Sequence, residues 1–298
     1  MRTGIVGTSW WADLVHGPAA LAAPDWEVTT VYGRTPEKAQ ALATKLGCTW
    51  TSDEDELLDS VDALAFSVPP AVQAALARKA AALGKHLLLE KPLALEVEDA
   101  ATTAQAIAGS GVAALVFFTA LWNPSTRSWL GTQHDTGGWE CGRYEHVTAL
   151  PPGFLDASPW RAEHGALWDI GPHMTSVLER VLGPITEVAA LQGARDLVEL
   201  QLRHESGATS SALLTLTAAP GSNRVDYWFG GTAGEVRPTD TDRAISAVDA
   251  SVVAMTELAR QVQSGDRGGV DAAYGEHVVR VLAAAQQALD DGARVTVR

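Results

Sequence analysis

The chain has 298 residues, 46% of them hydrophobic, with 22 Lys plus Arg against 36 Asp plus Glu for a formal net charge of −14. That length fits one large domain or two of ordinary size, and the balance is that of a globular protein. Acidity at this level, without a basic run, argues against nucleic acid or an anionic membrane as partner. Cys48 and Cys141 have no Cys or His at ligand spacing, which rules out a disulfide framework, a zinc ribbon and an iron–sulfur cluster. No metal is expected, and each cysteine reads as a buried thiol.

In chain order, Thr3–Val6 is a short apolar run ending at Gly7, too short for a signal-peptide core. No window approaches ~18 uninterrupted apolar residues, so an intracellular, cytoplasmic protein is expected. Val28–Tyr32 predicts a second strand. Thr35-Pro36 opens a helix, as N-cap and first helical residue, that stops at Leu46-Gly47. Ser52 with Asp55 predicts a capping box for the next helix. Strands follow at 63–68, 86–89 and 112–118, alternating with helices at 72–83 and 96–108. Their continuous apolar runs mark strands buried on both faces, hence a parallel sheet covered by helices. The second half changes pattern. Val198–Arg203 alternates strictly, Ser211–Thr217 partly, and Arg224–Phe229 is β-rich, which predicts a mainly antiparallel sheet with one polar face. Helices at 248–262 and 272–289 close the chain. These patterns place a domain boundary at 118–123, giving domains 1–119 and 120–298.

Four motifs carry chemistry. Gly7-Thr8-Ser9-Trp10-Trp11-Ala12 keeps the first glycine and terminal alanine of a dinucleotide fingerprint but has Ser9 at the middle glycine. Its amides can still meet a phosphate at a helix N-terminus, although an ordinary βα turn reads the same way. After strand two comes Tyr32-Gly33-Arg34-Thr35. No carboxylate is present for a ribose 2′-hydroxyl, and Arg34 suits a 2′-phosphate, which favours NADP over NAD. Glu90-Lys91-Pro92 follows an apolar parallel strand, at the sheet edge where such folds bind ligands, and Lys91 there can donate to a substrate oxygen. In Trp168-Asp169-Ile170-Gly171-Pro172-His173, Asp169 and His173 share one helix face. Pro172 is harmless only in a first turn, which places both side chains at a helix N-terminus.

Together, Gly7, Glu90-Lys91-Pro92 and Asp169-x-Gly171-x-His173 resemble, in order and spacing, the glucose–fructose oxidoreductase, inositol dehydrogenase and rhizopine-catabolism (Gfo/Idh/MocA) family. Gly230-Gly231-Thr232-Ala233-Gly234 and the closing 292–297 segment are similar to its C-terminal half. The resemblance implies an α/β protein: an N-terminal Rossmann domain, then an α/β domain whose large open sheet serves oligomer contact. It implies hydride transfer between nicotinamide and a carbinol or carbonyl carbon of a sugar, polyol or related compound. Carried over by residue, Lys91 binds the reacting oxygen, His173 is the general acid/base and Asp169 holds the substrate and tunes the pair. The dinucleotide, NADP with NAD as the alternative, would lie against Gly7, Thr8, Ser9, Trp10, Trp11, Arg34, Thr35, Ser67, Pro69, Glu90 and Lys91. Two positions depart from the family: Gln73 where histidine is common, and Leu121 where a basic residue is common. Trp10, Trp11, Trp122 and Trp160 would make an aromatic-lined cleft or simple packing. A homodimer or homotetramer is expected. The competing reading is a nucleotide-binding regulator on the same fold without catalysis.

Overall fold

A computed structural model describes residues 1–151, 153–156, 158–243 and 246–298. In chain order the elements are β1 (Arg2–Val6), a π-helical segment (Ala12–His16) running into α1 (Gly17–Ala22), β2 (Glu27–Tyr32), α2 (Pro36–Leu46), β3 (Thr49–Thr51), α3 (Glu54–Ser60), β4 (Ala63–Phe66), α4 (Pro70–Ala82), β5 (His86–Glu90), α5 (Val97–Ser110), β6 (Ala114–Phe117) and α6 (Thr119–Trp122). They continue with α7 (Pro124–Thr136), β7 (Trp139–Val147), α8 (Pro159–Leu182), β8 (Ile185–Gln192), β9 (Val198–His204), β10 (Thr209–Thr215), β11 (Arg224–Gly231), β12 (Gly234–Val236), α9 (Asp240–Arg243), α10 (Ala247–Ser264), α11 (Ala272–Asp291) and β13 (Val295–Thr296). None of the described helices is long and apolar enough to cross a membrane.

The chain forms two compact units, one of Met1–Pro124 with Ile245–Glu276, the other of Ser125–Ala244 with His277–Arg298. The expected single cut between 119 and 120 therefore needs correcting, because the chain returns to its first unit. The reason is an apolar stripe on α10. Ala250, Ala254, Met255 and Leu258 recur at helical spacing and join a core with Ile5, Ala19, Val31 and Leu115. The Trp26 indole N–H also donates to the Met255 carbonyl at 2.9 Å.

In the first unit the strands are all parallel, in the order β3-β2-β1-β4-β5-β6. Every residue of β4, Ala63-Leu64-Ala65-Phe66, is buried, as a strand covered on both faces must be. The order reverses between β1 and β4, and the crevice at their carboxyl ends is where such a sheet takes a ligand. Two helix starts differ from expectation. Asp53, not Ser52, caps α3, accepting from the Asp55 and Glu56 amides, because a carboxylate one residue later reaches both orphan donors. Thr35 precedes α2 as expected, but its side chain makes no cap hydrogen bond.

The second unit holds a seven-stranded sheet in the order β12-β11-β7-β10-β9-β8-β13. Only β7 and β10 pair in parallel; the other neighbours are antiparallel. β9 alternates buried and exposed along its whole length, the mark of a sheet with one polar face. α8 packs on β7, β9 and β10. The two cysteines are half-buried rather than buried; Cys48 follows the Gly47 helix stop, near the surface, and burial still pushes its thiol up.

Candidate active site

At the end of β1, Gly7 has φ +107°, and a β-carbon there would stand 2.3 Å from the Ser67 carbonyl oxygen. Only glycine lets the ends of β1 and β4 approach this closely. The helical turn beyond it begins at Trp10. Ser9 has a use that glycine could not supply. Its hydroxyl accepts from the Ala12 amide at 3.3 Å, the position of an N-cap, and lies 2.6 Å from the Ser67 hydroxyl. Thr8 packs against Gly33, where an added β-carbon would stand 2.7 Å from its methyl. Ser9, Trp10, Arg34, Thr35 and Pro69 are exposed, Ser67 is buried, and Thr8 and Trp11 are half-buried. At the end of β2, the Glu54 carboxylate is engaged by the Tyr32 hydroxyl at 3.3 Å and by Lys79 at 3.4 Å. Glycine without room for a side chain, amides ahead of a helix and a guanidinium beyond β2 fit a dinucleotide phosphate and ribose.

Lys91 follows β5 in the same unit. The segment that carries it is held by Gln73, a fully buried side chain of α4. Gln73 Oε1 accepts from the Glu90 amide at 2.7 Å, and its Nε2 donates to the Glu90 carbonyl at 2.7 Å and lies 3.3 Å from the Pro92 and Leu93 carbonyls. Gln73 thus satisfies backbone groups of a non-regular turn, which must be paired when buried. The departure from the family residue concerns the frame beneath Lys91. Glu90 turns its carboxylate inward. Oε1 accepts from the Trp11 indole at 2.7 Å and from His16 Nε2 at 2.8 Å, and Oε2 from the Lys91 amide at 3.2 Å. Leu121 is buried. Trp122 is packing: it is buried and its indole donates to the Val116 carbonyl at 2.8 Å.

Asp169 and His173 lie on α8 in the second unit, and their placement corrects the expected helix start. α8 spans Pro159–Leu182 with a break at Gly165 (φ 61°, ψ −157°), and Pro172 lies inside it. Pro172 is seven residues past the break, so it sits in the helix interior, not a first turn. The side chain of Asp169 is largely buried and pairs with Arg161, Nε to Oδ1 at 3.1 Å. Arg161 in turn lies 4.4 Å over the Trp160 ring and donates to Ser158 at 2.9 Å. It also lines a cleft of about 400 Å³ with His164, Gly165, Asp196 and Thr217. Sequence reasoning missed Arg161: eight residues before Asp169 it would stand about 12 Å away along a continuous helix, and the helix breaks between them at Gly165. It missed Gln73 as a clamp for a similar reason, since its partners are backbone.

The family model "Oxidoreductase family, NAD-binding Rossmann fold" matches residues 1–118, and "GFO/IDH/MocA C-terminal domain" matches residues 140–237. Among characterised relatives, a D-xylose 1-dehydrogenase (NADP(+)) of Haloferax volcanii is 27% identical, over 99% of this chain and 99% of its own. A dTDP-3,4-didehydro-2,6-dideoxy-alpha-D-glucose 3-reductase of Streptomyces violaceoruber is 28% identical, over 90% of this chain and 87% of its own. The fold superposes on a levoglucosan dehydrogenase bound to NADH and levoglucosan with TM-score 0.89 at 18% identity, covering 100% of this chain and 99% of that one. It superposes on scyllo-inositol dehydrogenase of Lactobacillus casei with TM-score 0.85 at 18% identity, covering 100% and 99%. With both halves matched, this chain belongs to the Gfo/Idh/MocA family of oxidoreductases and carries its NAD-binding Rossmann fold and its C-terminal domain.

Proposed function

We propose that this protein is an NADP(H)-preferring oxidoreductase acting on a carbinol or carbonyl carbon of a sugar, polyol or related small molecule. The observation that carries the reading is the switch-point crevice of the first unit. There the tight Gly7 turn, exposed Arg34 beyond β2 and Lys91 beyond β5 follow the carboxyl ends of strands in one parallel sheet. Relatives that reduce a dTDP-keto sugar or oxidise D-xylose with NADP(+) support a sugar-like substrate. The nicotinamide, when bound, gives or takes the hydride. Lys91 would hold the reacting oxygen and offset its developing negative charge. His173 would donate or accept that oxygen's proton. Asp169, fixed by Arg161, would hold the substrate and tune the pair. Glu90 would serve through the turn it anchors, while Gly7 to Trp11, Arg34, Thr35, Ser67 and Pro69 would border the dinucleotide.

Separate titrations with NADPH and NADH, followed by tryptophan emission, test the cofactor half. We expect NADPH to bind about tenfold tighter or better, a gap of about 1.4 kcal/mol, and Arg34→Ala to erase most of it. Equal affinities in the unmodified protein would reject the preference. The reading includes self-association through the polar face of the second sheet as a dimer or tetramer. Light scattering at micromolar concentration checks it, and a monomer there would remove it.

A further inference from the structure

We infer that Trp11, His16 and Ser251 form, around the Glu90 carboxylate, a buried positioning network that ties the dinucleotide-binding turn to Lys91. The inference rests on the proposed role of Lys91 but is read from groups that role leaves unused. His16 is fully buried, so its ring must have partners on both nitrogens. Nε2–H donates to Glu90 Oε1 at 2.8 Å, and Nδ1 lies 2.9 Å from the Ser251 hydroxyl. Ser251 is itself buried and comes from α10, the helix that returns after the chain has left this unit. The Trp11 indole N–H reaches the same Oε1 at 2.7 Å.

The π-helical segment explains how two residues of one short helix meet at one oxygen. In an α-helix, side chains five residues apart point about 140° away from each other. Here the Gly17 amide closes on the Ala12 carbonyl, five residues back, and such a wider turn carries residue i+5 back over residue i. Trp11 and His16, five apart, therefore fall on one side and grip one carboxylate. Ring contacts continue the packing: Trp11 and His16 meet edge-on with centroids 6.3 Å apart, and His16 meets Phe117 at 5.2 Å. Trp11 belongs to the turn that begins at Gly7, and Glu90 Oε2 accepts from the amide of Lys91. Movement at either turn is thus felt at the other through one carboxylate. His16 and Ser251 are positioning residues; neither needs to touch substrate.

The test reads Lys91 directly in the full-length protein. Acetylation with N-hydroxysuccinimide acetate, resolved by mass spectrometry, gives Lys91 a rate beside Lys38, Lys45, Lys79 and Lys85, the chain's other lysines. We expect Ser251→Ala, His16→Phe and Trp11→Phe to change the Lys91 rate by about 2–10-fold, the weight of one lost hydrogen bond, with the Lys38, Lys79 and Lys85 rates unmoved; Lys45, bonded to Asp13 of the π-helical segment, is left out as a reference. His16→Gln, which restores a donor toward Glu90, should recover it. Where His16→Phe does not fold, Ser251→Ala, a single buried hydroxyl removed, carries the test. Lowered unfolding midpoints with an unchanged Lys91 rate would overturn the network and leave a merely structural role. A shifted Lys91 rate in these variants, together with Lys91→Ala that keeps full turnover, would support the network and reject only the catalytic reading of Lys91.

Discussion

In the first unit, Lys91 follows a strand end whose backbone is gripped by Gln73 and whose neighbouring carboxylate takes donors from Trp11, His16 and the Lys91 amide. In the second, Asp169 is met by a guanidinium reaching back along α8 across the break at Gly165. The contrast extends to the sheets. The parallel one is buried on both faces along β4, while the mixed one keeps a polar face along β9. A site framed by backbone tolerates little change in shape. A site framed by side chains on a broken helix can be retuned one residue at a time. On the proposed function, the first unit would serve an invariant partner, the dinucleotide, and the second a variable one, the substrate.

Substitutions can break that comparison. The largest effect is expected where the two proposals meet: His173→Ala and Lys91→Ala should each lower kcat by ~10²–10⁴-fold, with NADPH affinity nearly intact. Arg161→Ala and Asp169→Asn should cost less and show a larger share of their effect in KM. Turnover assays on a panel of sugars, polyols and keto sugars check both, and full turnover by His173→Ala would reject its role. Next comes the frame. Gln73→Leu strips two short hydrogen bonds from a buried turn and should lower stability by roughly 2–4 kcal/mol, measured by urea unfolding. A loss below about 1 kcal/mol would mean that the turn holds itself without its clamp.

The smallest effect concerns pH and falls on both units. Burial pushes His204 down from its usual value; its Nδ1 lies 2.7 Å from the Gly183 carbonyl and its Nε2 2.8 Å from the Ser210 hydroxyl, a neutral ring's arrangement. Burial and then Arg267 push His86 down as well, while its Nδ1 accepts from the Ala113 amide. Both folded values lie below the unfolded 6.5, so the unfolded chain binds more protons under that pH. Their contribution is whole above about 6.5 and is lost as pH falls toward the folded values. Urea midpoints should therefore drop between about pH 7.5 and 5.5, and His204→Gln should flatten part of that slope.

Much of the first unit was legible because a buried parallel strand is written as an unbroken apolar run, as in Ala63–Phe66, and because Gly47 marks a helix end without tertiary help. β7, Trp139-Glu140-Cys141-Gly142-Arg143-Tyr144-Glu145-His146-Val147, carries neither a run nor a clean alternation, and its charged residues hid it. The site divides in the same manner. Lys91, Asp169 and His173 stand out through spacing. The groups that hold them do not stand out: Arg161 needs the Gly165 break, Gln73 bonds only to backbone in that turn, and no residue type announces the π-helical turn that aligns Trp11 with His16.

The return of α10 has a consequence for how the protein is made. The first unit lacks part of its own interior until the segment after residue 244 exists, about 120 residues after its first piece ends at Pro124. At roughly 5–20 residues per second, a ribosome needs roughly 6–24 s to supply it. During that interval Ala19, Trp26 and Leu115 lack the apolar stripe that covers them in the finished chain, and His16 lacks its Ser251 partner. Synthesis order thus runs against assembly order. The oldest part of the nascent chain must wait, partly uncovered and in need of protection from its neighbours, for one of the youngest.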